Sequence, residues 1–333
     1  MSQSTNFPEP VNPADPMRWD GEAELPERRT NMDITLKHQF EATIMHGMFS
    51  LMELMGVDRA SAFMGRLLRI AGPLLRPVHK RGLNNLRLVF PYNSDDENEA
   101  ILKKVWENLG RTVGEYPHLE CFRAFEDGGR VEIEGEGLLR SLIEQERPVI
   151  FVTSHMANWE VIGTVLYRAG VRFAIVYRAA NNPIVDERII DLRAGVMTRH
   201  QAPKGKRGGR ALLNFINSGL SLCMLVDQKL NDGIRVPFMG HDAMTPSAAA
   251  RMALKYDAPV VPIGIRRLDG ASFRVTFHDP LVFSASGDTH RDAEALTAQI
   301  NDALGEIIKA NPGQWLWLHR RWPKDVMKAA GLE

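Results

Sequence analysis

A histidine leaves an apolar run at Val149-Ile150-Phe151-Val152-Thr153-Ser154-His155, and Asn158 and Glu160 follow it closely. If Asn158 caps a helix beginning there, Glu160 falls in the first turn, where it can accept a hydrogen bond from one imidazole nitrogen. Such a carboxylate fixes the tautomer, leaves the other nitrogen unprotonated and outward, and supports the imidazolium once formed, as a general base requires. A strand-end histidine satisfied by local hydrogen bonds has the same spacing. Arg178 leaves a second apolar run, Ile175-Val176-Tyr177, and its planar fork suits phosphate or carboxylate. Lys204, Lys206, Arg207 and Arg210 crowd a glycine-containing loop at 205–209 that opens a helix. That loop is either a second anion site or a solvated basic loop. Asp227 and Gln228 follow a third run, Met224-Leu225-Val226. They are placed to hold Arg178 or an acceptor group, the alternative being a buried ion pair that closes a sheet.

In open α/β sheets chemistry gathers at the carboxyl ends of strands, so these residues call for such a sheet. Short β-rich runs at 131–134, 149–153, 173–177, 222–226, 260–265 and 273–277 alternate with helical stretches. This predicts an α/β fold with a mainly parallel central sheet flanked by helices. Only residues 268–272 separate the last two runs, too few for a crossover, so an antiparallel pair is expected there. The expected divisions are a polar, proline-bearing extension over 1–35, a helical N-terminal layer over 36–128 and the α/β core over 129–325.

Forty-one basic residues balance forty-one acidic ones, which gives no field for a general nucleic-acid binder. Two cysteines, Cys121 and Cys223, suit a reducing compartment and cannot make a disulfide framework. The chain has no G-x-S-x-G elbow, Walker phosphate loop or H-E-x-x-H zinc helix. That favours direct transfer by a base, with a metal-dependent hydrolase using His155, Glu160 and Asp227 as a rival. No run is long enough to span a bilayer. Between Arg59 and Ser94, however, lie Arg59, Arg66, Arg69, Arg76, Lys80, Arg81 and Arg87 and no acid. At about 100° per residue, Phe63, Met64, Leu67, Leu68, Ile70, Ala71, Leu74 and Leu75 share one arc opposite four of those arginines. This is the pattern of a helix lying on an anionic membrane surface, or of one packed on the domain with a solvated basic face. Met45, Met48, Met52 and Met55, just upstream, are expected to pack in a core.

The H-x4-E pair, Tyr177-Arg178, Asp227-Gln228, Gly82-Leu83-Asn84-Asn85-Leu86, Val236-Pro237-Phe238-Met239-Gly240 and the segment Asn311 to Trp322 occur in one order. In this the chain resembles the lipid A secondary acyltransferases, the lauroyl and myristoyl transferases, over about residues 57 to 324. The resemblance implies transfer of a fatty acyl chain from acyl carrier protein to a hydroxyl of a 3-hydroxyacyl chain on a Kdo-bearing lipid A precursor. The implied setting is the cytoplasmic face of the inner membrane, with peripheral or monotopic attachment, and no cofactor. With this resemblance, His155 and Glu160 are expected to be catalytic, and Asn158, Arg178, Lys204, Arg210, Asp227 and Gln228 are expected at substrate-binding positions. Backbone N–H groups at 156–159 are expected to meet the oxyanion. Trp315, Trp317, Trp322 and Phe238 are expected to line an acyl slot or to pack in the core. The alternative is an acyltransferase acting on another glycolipid or glycerolipid acceptor, and a non-catalytic lipid-binding module is the rival of a different class.

Overall fold

A computed structural model describes residues 34–333 of the protein. The extension expected over 1–35 lies, but for its last two residues, outside the described residues. The predicted strands form as β1 (Val131–Glu134), β2 (Ile150–Thr153), β3 (Phe173–Tyr177), β5 (Ser221–Leu225), β8 (Val260–Arg267) and β9 (Phe273–Phe277), joined by a short β4 (Gln201–Pro203). They make a seven-stranded sheet in the order β1-β9-β8-β2-β5-β3-β4. From β8 to β4 all neighbours are parallel. β9 returns antiparallel to β8, as its short connection requires, and β1 lies parallel to β9. Every residue of β2 is buried, the mark of a strand covered on both faces. The covering helices include α5 (Glu136–Glu144), α6 (Glu160–Arg168), α7 (Pro183–Ala194), α8 (Lys206–Asn217), α9 (Ala248–Tyr256) and α10 (Thr289–Ala310), and α11 (Lys324–Ala329) ends the chain.

A separate hairpin, β6 (Ile234–Phe238) and β7 (His241–Thr245), was not anticipated. Met239 and Gly240, at φ of 51° and 84°, supply the two positive-φ residues that a type I′ turn needs.

The N-terminal layer consists of α1 (Leu36–Met55), α2 (Val57–Ala71), α3 (Arg76–Val89) and α4 (Asp95–Glu115). A Ser94–Glu97 capping box starts α4. The amphipathic helix expected to run through Leu75 instead stops at Ala71. Pro73 cannot continue the hydrogen-bond ladder, and Gly72–Leu74 form a 3-10 turn before α3. Ala60, Ser61, Met64 and Gly65 pack on α4 at very close range: a Cβ at Gly110 would lie 2.2 Å from the Met64 carbonyl oxygen. Met64 therefore faces inward, whereas Phe63, Leu67 and Ile70 are left exposed, as are Leu36, Phe40 and Ile44 of α1. The methionine stripe is packing, gathered around Phe49, Met52, Ala60 and Met64. Among the described residues no helix is long and apolar enough to cross a membrane.

Candidate active site

β2 and β5 are parallel neighbours with Thr153 opposite Leu225. Two residues beyond these stand His155 and Asp227, so the register sets imidazole and carboxylate side by side, with Nδ1 and Oδ1 2.7 Å apart. Asp227 Oδ2 accepts the His155 backbone N–H at 2.8 Å and the Trp315 indole N–H at 2.7 Å. Burial alone would raise the Asp227 pKa. The charge and hydrogen bonds of His155 outweigh it and hold the carboxyl well below the usual carboxylate range. An ionised acceptor at Nδ1 makes that nitrogen the protonated one and leaves Nε2 unprotonated. The Gln228 amide nitrogen lies 3.2 Å from Nε2 and donates to it in this tautomer. Trp159 packs edge-on against the ring at 5.1 Å between centroids.

Glu160 is not the partner of His155, which corrects the expected pairing. Its oxygens accept Arg193 Nε at 2.9 Å and Nη2 at 2.5 Å. Burial disfavours the Arg193 cation, but Glu160 raises its pKa beyond the ordinary guanidinium value. A bidentate, desolvated guanidinium is the stronger competitor for this carboxylate, and it draws Glu160 toward α7. Asp227 does not hold Arg178, because His155 and Trp315 occupy its oxygens. Asn158 is completely buried and donates to Glu115 Oε2 at 3.0 Å, so it faces protein and not substrate. Its Oδ1 does accept the Glu160 N–H at 3.3 Å, the local bond expected of a residue preceding a helix. The N–H groups of Met156 and Ala157 are bound to the carbonyls of Ser154 and Gln314, and so neither meets an oxyanion.

A cavity of about 450 Å³ extends from His155. Gln228, Arg178 and Lys204 stand with His155 at the strand exits. Deeper in lie Ile175 and Cys223, which are register partners, together with Gly163 and Met197. Glu160, Arg193 and Tyr116 form one wall. Burial lowers the Lys204 pKa and the nearby Arg178 adds to this, against the pull of Asp227. Burial pushes the Cys223 thiol up to about 12, so it carries no thiolate chemistry at neutral pH. Arg210 is exposed on α8, outside the cavity lining, and the Lys206 and Arg207 side chains lie outside the described residues. The expected glycine loop is shorter than 205–209, since Gly208 and Gly209 already belong to the first turn of α8. Trp315, Trp317, Trp322 and Phe238 are buried against one another and line no part of this cavity. From their segment only Leu316 reaches it.

Sequence reasoning missed the Trp315 indole that steadies Asp227 and the buried pair of Glu115 with Arg267 behind Asn158. A buried indole N–H needs an acceptor, which is a signal for a partner but not for its identity.

A mainly parallel α/β sheet that presents a histidine–aspartate pair at the head of a mostly apolar slot suits general-base chemistry on a substrate with a long apolar chain. A sequence model of the bacterial lipid A biosynthesis acyltransferases matches residues 29–324, and the chain belongs to that family. It is similar to three Escherichia coli (strain K12) proteins. With the lipid A biosynthesis palmitoleoyltransferase it shares 25% identity over 271 residues, 78% of this chain and 84% of the relative. With the lauroyltransferase it shares 24% over 272 residues, 80% and 85%. With the myristoyltransferase it shares 23% over 259 residues, 77% and 78%.

Proposed function

We propose that this acyltransferase of lipid A biosynthesis moves a fatty acyl chain from acyl carrier protein to a hydroxyl of a 3-hydroxyacyl chain on a Kdo-bearing precursor. His155 acts as base and Asp227 as its orienting acid. Nε2 takes the alcohol proton as the oxygen attacks the thioester carbonyl. The new C–O bond forms, the C–S bond breaks, and the proton passes to the departing thiolate, with no acyl-enzyme. A positioned base of this kind contributes about 10² to 10⁴ in rate.

The observation that carries this reading is the Nδ1–Asp227 pair of a histidine that lines the slot, with its Nε2 against the Gln228 amide, which lines it too. The acceptor hydroxyl takes the place of the Gln228 amide at Nε2. The acyl chain lies along Ile175, Leu225 and Cys223, and Arg178 with Lys204 meets phosphate or the charge that develops on the thioester oxygen. Glu160 supports the wall through Arg193. The exposed apolar residues of α1 and α2, next to Arg59 and Arg66, rest on the anionic cytoplasmic face of the inner membrane.

Purified full-length protein given acyl-loaded carrier protein and a Kdo-linked tetraacyl precursor tests the assignment. His155→Ala is expected to lose turnover while still binding vesicles, and wild-type turnover in that variant overturns the base. A wild-type protein that binds vesicles but never acylates this precursor or any other glycolipid supports the lipid-binding module instead.

A further inference from the structure

The turn between His155 and α6 is held in a costly conformation from several sides. Ala157 has φ of +49°, in the left-handed region that a Cβ disfavours. Its carbonyl accepts the Asn108 amide at 3.1 Å and the Thr112 hydroxyl at 2.9 Å, a single proton that Thr112 shares with the Asn108 backbone carbonyl at 3.0 Å. Its N–H donates to the Gln314 carbonyl at 2.9 Å. Asn158, next along, donates to Glu115 at 3.0 Å. Asn108, Thr112 and Glu115 are spaced four and three apart and so share one face of α4. Arg267 braces that face: Nε donates to Asn108 Oδ1 at 3.0 Å, Nη2 to Glu115 Oε2 at 3.0 Å, and Nη1 to Glu115 Oε1. The backbone of Arg267 exchanges two hydrogen bonds with the Gln314 side-chain amide, at 2.7 and 3.0 Å. Neither Asn108, Thr112, Glu115 nor Arg267 lines the slot.

We propose that Asn108, Thr112 and Glu115 are positioning residues for the transfer reaction, with α4 and Arg267 holding Ala157–Asn158 so that His155 keeps both its bond to Asp227 and its aim into the slot. A carbonyl bound by two donors pays for the left-handed Ala157. With one donor removed, Ala157 relaxes toward negative φ, and the chain swings two residues after the base. The same face also reaches α2, because the Ser61 hydroxyl donates to Glu115 Oε1 at 2.6 Å. The loop is thus referenced to the helix that carries the exposed apolar stripe. This inference rests on His155 being the base.

Thr112→Val, nearly isosteric but without the hydroxyl, tests it in the full-length protein. Normalised to folded enzyme, kcat is expected to fall between about tenfold and a hundredfold, the scale of an ångström-sized misplacement. KM for donor and acceptor should be unchanged, and the downfield proton resonance of His155 Nδ1 should be displaced. Thr112→Ser should restore both rate and resonance. Wild-type kcat with an unmoved resonance in Thr112→Val overturns the proposal. If the valine prevents folding, Thr112→Ala, which adds no bulk, is judged by the same two outcomes. Should His155→Ala retain turnover, the base assignment falls; should His155→Ala be inactive while the Thr112 variants match wild type, only the positioning role falls.

Discussion

His155 and Asp227, 72 residues apart in sequence, meet at 2.7 Å, whereas the nearer acid Glu160 is committed to Arg193. The two carboxylates therefore answer differently to neutralisation. Asp227→Asn keeps the shape but loses the charge that fixes Nδ1 as the protonated nitrogen. Its kcat is expected to drop by up to about 10⁴, the scale on which neutralising a triad acid acts, and its melting temperature to fall as well, because the lowered pKa of this buried carboxyl makes its charged form the stabilising one. Steady-state kinetics alongside thermal melts check this, and an active Asp227→Asn enzyme removes Asp227 from the base.

Glu160→Gln strands a buried guanidinium. Breaking one side of a buried pair costs about 3 to 5 kcal/mol, so this variant is expected to show a large stability loss. Denaturant unfolding reads that loss directly. Turnover per folded molecule should fall less than in Asp227→Asn, and the reverse ranking would return the role of orienting acid to Glu160.

Chain-length choice should lie where Gly163 faces Met197. A Cβ at Gly163 would stand 2.6 Å from Met197 Sδ, so Gly163→Ala pushes the thioether into the slot. The variant is expected to favour donors about two carbons shorter than wild type does, because one methylene in an apolar pocket is worth about 1 to 3 kcal/mol. Met197→Ala should shift the preference toward longer chains. Competition among acyl carrier proteins loaded with different chains reads both, and an unchanged profile in both variants places the slot's end elsewhere.

Six strands of the main sheet were legible: β2, β5 and β8, buried almost throughout, read as short apolar runs, whereas β1 and β9 alternate apolar and polar residues. β4 is only three residues long and too short to register as either. The β6–β7 hairpin alternates buried Val236 and Phe238 with exposed Arg235 and Pro237, a period-two signal hidden by its charge and proline. The members of the site were legible as residues just past strand ends, but their pairing was not. Proximity in sequence suggested Glu160, and only the parallel register of β2 and β5, which no local pattern encodes, brings Asp227 to His155. The aromatic segment was conspicuous by composition, yet its contribution is a backbone bridge from residues 314–316 to 155–157 and one indole N–H.

His319 makes stability fall on the acid side. Burial lowers its pKa from 6.5 to about 4, against the pull of Asp227, while its Nδ1 donates to the Leu316 carbonyl. The folded state thus binds fewer protons than the unfolded state between these values. Its contribution is complete above about pH 6.5 and is lost as pH falls toward 4. Asp227, also lowered from 3.8, acts in the same direction but only further down. Melting temperature measured from pH 7 to 4 should decline in wild type and be flatter in His319→Gln. Equal slopes in the two proteins would mean that His319 is not the titrating group.

The proposed membrane contact of the α2 stripe can be tested apart from folding, because Leu67 and Ile70 are exposed while the face against α4 holds the layer together. Replacing either residue with glutamate removes an apolar contact worth about 1.5 to 3 kcal/mol when buried. It also sets a negative charge against anionic headgroups. Ile70→Glu is therefore expected to bind phosphatidylglycerol-containing vesicles at least about tenfold more weakly while melting within a degree or two of wild type. Arg66→Gln should weaken binding by about fivefold, roughly 1 kcal/mol, and blunt its salt dependence. Vesicle co-sedimentation across a salt series reads both effects. Undiminished binding by Ile70→Glu would show that another surface makes the contact. Loss of binding together with a lowered melting temperature would show that Ile70 supports the fold and does not simply face the lipid.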